Sequence, residues 1–201
     1  MLRYIGDFKE SMRDGQGQFT WANGDHYSGT WSADKRDGKG VFVSAQGDRY
    51  DGYWRMGKKE GQGTFTFTNG DKYEGNWSND QKDGHGIFTW GDGNRYEGGW
   101  QSDMRNGVGE FRWANGSVYS GEWRNDRKEG TGKFVAENGD TYEGQYYADE
   151  KQGVGTFTWG RGPWEGHVYK GSWKNGMMEG KGEYYTPSVH GNQVSGGATC
   201  A

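Results

Sequence analysis

One basic residue recurs every 23 residues along this chain, and the row it forms is the first candidate for chemistry. A row of cations at one edge of a sheet could contact anionic lipid headgroups, at intervals of about 9.6 Å if two strands separate successive members. The position after the cation's is acidic in six of the eight repeats, which largely cancels the field, so a solvated edge is the alternative interpretation. The row consists of Arg13, Arg36, Lys59, Lys82, Arg105, Lys128 and Lys151.

Other residue types that could do chemistry lack the spacing that chemistry needs. Gly-x-Gly recurs eight times, but no helix is expected after any copy, so these glycines are interpreted as structural rather than phosphate-binding. Carboxylate pairs such as Asp80 and Asp83 recur in loops, where turn formation explains them. His167, His190 and Cys200 could hold zinc across a dimer, although no paired ligand spacing supports this. We therefore predict a non-enzyme with no catalytic residue, no cofactor and no metal site.

Composition limits the remaining classes of function. The net charge of -4 is spread evenly, so no basic domain is available for nucleic acid. The single cysteine excludes an intramolecular disulfide framework and suits a reducing cytosolic setting. No apolar stretch approaches the ~18 residues of a membrane span, and the N-terminus lacks a signal-peptide pattern. These features favour a cytoplasmic protein that works through its surface.

The basic row belongs to a unit of sequence that occurs eight times. Counted from its first residue, each unit has Tyr at position 1, Gly at 3, an aromatic residue at 5, Gly at 12 and 14, and an aromatic residue at 16; the cation is at position 10. A fixed period of this length indicates a linear array of one supersecondary unit. The position-1 residues are Tyr4, Tyr27, Tyr50, Tyr73, Tyr96, Tyr119, Tyr142 and Tyr169.

Alternation within each unit predicts two strands and two turns. In the fourth unit, residues 73–78 and 86–90 alternate aromatic residues or glycine with polar residues, whereas residues 79–84 have turn chemistry. Four connections between units are Asn-Gly pairs, which favour type I′ turns. We therefore predict an all-β fold, an elongated single-layer antiparallel sheet of stacked β-hairpin repeats, with the rings on one face. Two strands per unit give a rod roughly 75 Å long.

The sequence Tyr-x-Gly-x-Trp, followed by Gly-x-Gly and an aromatic residue, resembles the MORN (membrane occupation and recognition nexus) repeat family. The resemblance covers about residues 4–185, and the lack of a catalytic partner domain is similar to cytoskeletal MORN proteins of protozoan parasites. It implies phosphoinositide affinity and homodimers formed through the C-terminal repeats. We place that interface at Tyr146, Tyr147, Trp159, Trp164, Tyr169, Trp173, Tyr184 and Tyr185.

The predicted organisation is eight repeats within residues 1–186, followed by a flexible tail over residues 187–201. The repeats are 4–26, 27–49, 50–72, 73–95, 96–118, 119–141, 142–168 and 169–186. Four additional residues precede the last repeat, within 160–167, and mark either a tolerated loop or a pairing surface. A longer parent with further upstream repeats stays an open alternative, since no capping segment precedes the first repeat.

The predicted function is a scaffold that self-associates and organises cytoskeletal or membrane-associated assemblies, with cytoskeletal proteins as partners. Its expected location is the cytoskeleton or the inner face of a membrane. The alternative is a module that binds phosphoinositides or other anionic lipids. A third hypothesis is a regulatory segment of an enzyme whose catalytic part lies outside this chain.

Overall fold

The computed structural model describes residues 2–187, and this part of the chain contains sixteen strands and no helix. Contacts divide the chain into two units, residues 1–104 and residues 105–201. The predicted tail is almost entirely outside the described residues, as are His190 and Cys200.

The first unit carries nine strands, each antiparallel to its neighbours in the chain. They are β1 (Arg3–Lys9), β2 (Met12–Thr20), β3 (His26–Ser32), β4 (Lys35–Val43), β5 (Arg49–Arg55), β6 (Lys58–Thr66), β7 (Lys72–Ser78), β8 (Gln81–Thr89) and β9 (Arg95–Gln101).

The second unit carries the remaining strands, which are paired in the same antiparallel way. They are β10 (Met104–Arg112), β11 (Val118–Arg124), β12 (Arg127–Val135), β13 (Thr141–Tyr147), β14 (Glu150–Thr158), β15 (Val168–Lys174) and β16 (Met177–Tyr185). Within each unit the hydrogen-bonded strand order follows the chain, from β1 to β9 in the first and from β10 to β16 in the second. The predicted fold class, an all-β antiparallel sheet of consecutive hairpin repeats, is confirmed.

Register is the same in successive repeats because two glycines meet at a fixed place. Within the second repeat Gly29 lies opposite Gly40, and across the next junction Gly40 lies opposite Gly52. A Cβ added to Gly40 would lie 2.2 Å from the Tyr27 hydroxyl oxygen, which no real contact allows. Glycine is therefore required at positions 3 and 14, because the tyrosine ring occupies the space of their missing side chains.

A bulge separates the glycine pair from the turn in the first four and the last three repeats. In the fourth repeat Gly75 lies opposite Gly86 and Trp77 opposite Lys82, so one residue of β7 faces three of β8. Gly84 at position 12 lies in this bulge with φ +92°, a conformation that favours glycine. The turn predicted over residues 79–84 is thus wrong in length, because β8 already begins at Gln81.

The type I′ turn was also predicted in the wrong place. In the Asn23-Gly24 connection only the glycine has positive φ, and Gly24 N–H donates to the Trp21 carbonyl at 3.0 Å. This is a type I turn followed by a left-handed glycine, not the type I′ turn that was predicted. The type I′ conformation occurs inside the repeat, where Asn79 and Asp80 have φ of 49° and 72°.

Candidate functional site

The aromatic face of the sheet is the interior of each unit. Six of the eight position-1 tyrosines are completely buried, and their hydroxyl groups donate to the carbonyl of position 4, as Tyr27 does to Thr30 at 3.0 Å. Burial raises the pKa of Tyr27 and of Tyr142 to about 12. These phenols are therefore structural groups that stay neutral at physiological pH.

The position-5 indole joins each repeat to the one before it. Trp54 Nε1 donates to the Gly40 carbonyl of the preceding repeat at 3.2 Å, and its ring contacts Tyr27 and Tyr50 edge to face at 5.5 and 5.1 Å. A repeat thus supplies a ring and a hydrogen-bond donor that complete the core of its predecessor. Sequence periodicity predicted the shared face and ring contacts across the repeat boundaries, but not the indole hydrogen bond between repeats.

The predicted cation row lies against this aromatic face instead of pointing outward from a sheet edge. Arg36 stacks over Trp54 at 3.9 Å from the ring centroid and also donates to the Gly57 carbonyl at 2.7 Å. Burial lowers the pKa of Arg36 and of Lys59. Each cation covers rings of its own repeat and of the next one, which is a packing role that the sequence interpretation had not included.

The other members of the row are placed in the same way. Their distances to the facing ring of the following repeat are 4.3 Å for Arg13 over Trp31, 4.2 Å for Lys59 over Trp77, 4.8 Å for Lys82 over Trp100, 4.3 Å for Arg105 over Trp123, 5.6 Å for Lys128 over Tyr146 and 4.8 Å for Lys151 over Trp173. Contact of these cations with lipid headgroups stays a prediction.

Carboxylates connect the turns of neighbouring repeats. Asp80 at position 8 accepts a hydrogen bond from the backbone N–H of Lys59 at 2.8 Å, and its own N–H donates to the Lys59 carbonyl at 3.1 Å. Glu60 at position 11 accepts from the N–H of Asn79 at 3.1 Å. The acidic residues of these loops are therefore acceptors in a stack of turns, as the turn interpretation of the sequence requires.

The eight residues predicted for a dimer interface do not form one exposed surface. Tyr146, Tyr169 and Trp173 are buried on the aromatic face, and Trp159 and Tyr184 are partly buried. The exposed members are Tyr147 at 65%, Trp164 at 59% and Tyr185 at 46% of their full accessibility. These three side chains are the ones available to a partner.

Two exposed methionines of the eighth repeat were missed by the sequence prediction. Met177 and Met178 lie on β16, and Met178 occupies position 10, where the seven preceding repeats carry the cation. That departure from the pattern was visible in the sequence and is the signal that could have identified it.

The additional residues before the last repeat form a folded loop. Its Arg161 N–H donates to the Asn138 carbonyl at 2.7 Å, which fixes the loop on the preceding turn. His167 Nδ1 lies 2.5 Å from the Tyr184 hydroxyl oxygen, and the Trp164 ring meets the His167 ring at 5.4 Å and 90°. These contacts hold the loop in place while the Trp164 side chain stays exposed.

The polar face carries a groove in each unit, of about 710 Å³ in the first and 680 Å³ in the second. In the first unit the walls include Arg49, which is paired with Asp51 at 2.7 Å, and Lys72, which is paired with Glu74 at 2.8 Å. Tyr53 is the exposed aromatic residue of this groove. The mixed charges and internal ion pairs favour no single ligand class.

Residues 2–187 contain neither a metal centre nor a membrane-spanning helix. No group of three or more His, Cys, Asp or Glu residues in this range is arranged to hold a metal ion. The same range contains no helix long and apolar enough to cross a membrane.

Comparison with protein families identifies the repeat. The model of the MORN repeat matches residues 4–26, 27–49, 50–72, 73–95, 96–118, 119–141, 142–163 and 169–188. These matches cover most of the chain. No curated protein sequence matches it.

Three solved structures are similar at low identity. The SAS-4 TCP domain of Drosophila melanogaster, in complex with a proline-rich motif of Ana2, is 14% identical, with 80% of this chain and 86% of that chain covered and a TM-score of 0.47. The TCP10c domain of Drosophila melanogaster Sas-4 is 12% identical, with 93% and 100% covered and a TM-score of 0.43. The CPAP G-box domain is 14% identical, with 87% and 100% covered and a TM-score of 0.35. Because all three TM-scores are below 0.5, nothing is inferred from them.

Proposed function

We propose, from the premise that the chain belongs to the MORN repeat family, that it is a non-enzymatic scaffold whose C-terminal repeats mediate self-association. In this role it would organise cytoskeletal or membrane-associated assemblies. The observation that supports the proposal best is the exposure of large aromatic side chains in the last two repeats and the loop between them. Tyr147 and Trp164 expose more than half of their surface, and aromatic residues of this kind are the usual anchors of protein interfaces.

Substitution of the exposed aromatic residues in the full chain tests this proposal. Light scattering over a range of concentrations should give a dimer for the unmodified protein, and Trp164→Ser should shift it toward monomer. Tyr53→Ser is the matched control, because Tyr53 is similarly exposed but lies in the first unit. A monomer at every concentration, or equal weakening by both substitutions, would contradict self-association through the C-terminal repeats.

Binding of anionic lipid is the second candidate, favoured by the placement of the cation row on one face within each unit. To contact a lipid headgroup, these side chains would have to leave the aromatic rings and bind the phosphate group instead. If it occurs, vesicles containing phosphoinositide should bind the chain, added salt should release it, and neutral vesicles should not bind. Equal binding to neutral vesicles would reject a headgroup role for the cations.

A further inference from the structure

The two strands at the ends of the sheet order, β1 and β16, carry exposed apolar side chains. No strand of residues 2–187 pairs with the outer side of β1 or of β16. On β1, Ile5 and Phe8 expose 54% and 63% of their surface, and on β16 Met178 exposes 41%. Exposed strand edges of this kind are templates for pairing with another chain.

The junctions between repeats show how such an edge is normally covered. At the junction of β14 with β15, Gly155 lies opposite Gly171, Val154 opposite Ser172 and Phe157 opposite Tyr169. The same register, with position 14 opposite position 3 of the next repeat, occurs at all seven junctions between repeats. It therefore defines what β16 would accept on its outer side.

We propose that β16 of one copy pairs with β1 of a second copy, in the register of the internal junctions, with Gly182 opposite the second copy's Gly6. This goes beyond the self-association proposed above, since it uses the first repeat as well as the last and has no two-fold symmetry. Contacts of this head-to-tail type produce rings if the rotation closes and open chains if it does not.

The residues that depart from the repeat pattern on the two edges are complementary in this register. Position 5 of the first repeat is Phe8 where the internal junctions have Trp or Tyr, and position 10 of the eighth repeat is Met178 where they have a cation. A methionine over a phenylalanine ring is a favourable contact without charge, so it replaces the cation–ring contact of the internal junctions. Both of these departures from the repeat pattern place an uncharged apolar side chain where the two edges would meet.

Charge is complementary at the neighbouring pair. The register places Lys181 at position 13 opposite Asp7 at position 4, as Val154 lies opposite Ser172 inside the chain. It places Tyr185 opposite Arg3, as Thr158 lies opposite Val168. Opposite charges across antiparallel strands stabilise the pairing. A pairing of two β16 strands with Gly182 opposite itself would place Lys181 opposite Glu183, which is also a pair of opposite charges. The contact of Met178 with Phe8, and not charge, therefore favours β1 of a second copy over a second β16.

A charge exchange between two variants tests the pairing. Lys181→Glu alone places a carboxylate opposite Asp7, and Asp7→Lys alone places an ammonium group opposite Lys181, so each variant should associate about tenfold more weakly than the unmodified chain. An equimolar mixture restores opposite charges wherever the two variants alternate, because the two substituted side chains then face each other and the two native side chains do the same. Sedimentation velocity should show larger assemblies in the mixture than in either variant alone.

A second pair of substitutions guards against loss of folding. Asp7 accepts a hydrogen bond from the Gln16 N–H at 2.9 Å, so circular dichroism must show that Asp7→Lys remains folded. Ile5 is exposed and lies opposite Glu183 in the proposed register, so Ile5→Lys should tighten assembly about threefold and Ile5→Glu should weaken it by a similar factor. Equal effects of these two substitutions would overturn the pairing.

The outcomes separate this inference from the proposed C-terminal dimer. Assembly that stops at a dimer and does not respond to Lys181→Glu would overturn the head-to-tail pairing and leave the dimer intact. Restoration in the charge-exchange mixture, together with no effect of Trp164→Ser, would support the pairing and contradict the dimer. A monomer under all conditions would contradict both.

Discussion

Replacement of Gly86 by alanine is the most direct test of how the tyrosine ring and the glycine pair fit together. An added Cβ would lie 2.3 Å from the Tyr73 hydroxyl oxygen and 2.5 Å from the ring carbon that carries it. Gly86 has no positive φ, so the substitution introduces no backbone strain. Its effect therefore depends only on the space available for the added methyl group. The ring of Tyr73 must therefore move.

The cost of that movement follows from the contacts of Tyr73. Its hydroxyl donates to the Asn76 carbonyl at 2.9 Å, and its ring meets Trp77 and Trp100 edge to face at 5.1 and 5.5 Å. A buried hydrogen bond contributes about 1 kcal/mol and each aromatic pair about 0.5–1.5 kcal/mol. With overpacking strain of about 1–3 kcal/mol, Gly86→Ala should lower the free energy of unfolding by about 3–7 kcal/mol.

Urea unfolding followed by circular dichroism measures this change. Gly57→Ala is the matched control, because Gly57 has φ +88° and nothing within 4 Å of an added Cβ, so it should cost only about 1–2 kcal/mol of backbone strain. Tyr73→Phe should not rescue Gly86→Ala, since the ring carbon is itself too close. If Gly86→Ala costs no more than Gly57→Ala, the packing explanation of the repeated glycines is wrong.

Three further substitutions or conditions test other parts of the structure. Trp77→Phe keeps a ring but removes the donor to the Gly63 carbonyl, so it should cost about 1–2 kcal/mol in urea unfolding; no change would show that the indole N–H does not connect the repeats. Lys82→Met keeps the alkyl contact with the rings and should change stability by less than about 1 kcal/mol, while reducing vesicle binding if the lipid alternative holds. Stability should fall as pH rises from about 10 to 12, because the unfolded chain releases phenolic protons that Tyr27 and Tyr142 retain in the fold. If the folded Tyr27→Phe or Tyr142→Phe variant develops less phenolate absorbance well below pH 12 than the unmodified folded chain, the burial of that group is refuted.

The period of the sequence was enough to predict the fold class and the buried face. A tyrosine, a glycine and a tryptophan at alternate positions, as in Tyr73 to Trp77, can only share a face if the segment is a strand. The second strand repeats that alternation around Gly86. These local regularities recur in each unit, so pairing of consecutive strands followed without any long-range information.

The turn types could not be predicted from the same residues. Asn-Gly suits a type I′ turn, but a type I turn followed by glycine also places the glycine in the left-handed region, so Asn23-Gly24 fits both. The type I′ turns occur instead inside the repeats, at pairs that mostly lack glycine, such as Asn79-Asp80. There the Asp80 carboxylate accepts from the preceding repeat, and that stabilisation depends on a neighbour 21 residues away.

The position of the cation row was missed because the second strand was started too late. The run from Asn79 to Gly84 has turn composition, yet β8 begins at Gln81 and contains a bulge at Gly84. An earlier start would have placed Lys82 on the same face as Phe88 by simple alternation. The exposed methionines of β16 were overlooked for another reason, since they break a pattern whose role in covering the rings was unknown.

Completion of each core by the indole of the following repeat gives the chain a direction. While a ribosome extends the chain, a newly emerged hairpin lacks the ring that covers its tyrosine until the next tryptophan has been synthesised. Order should therefore advance one hairpin behind translation. Shortened versions for engineering should accordingly include the first strand of the following repeat as far as its position-5 aromatic residue, so that the tyrosine of the last complete repeat keeps the ring that covers it.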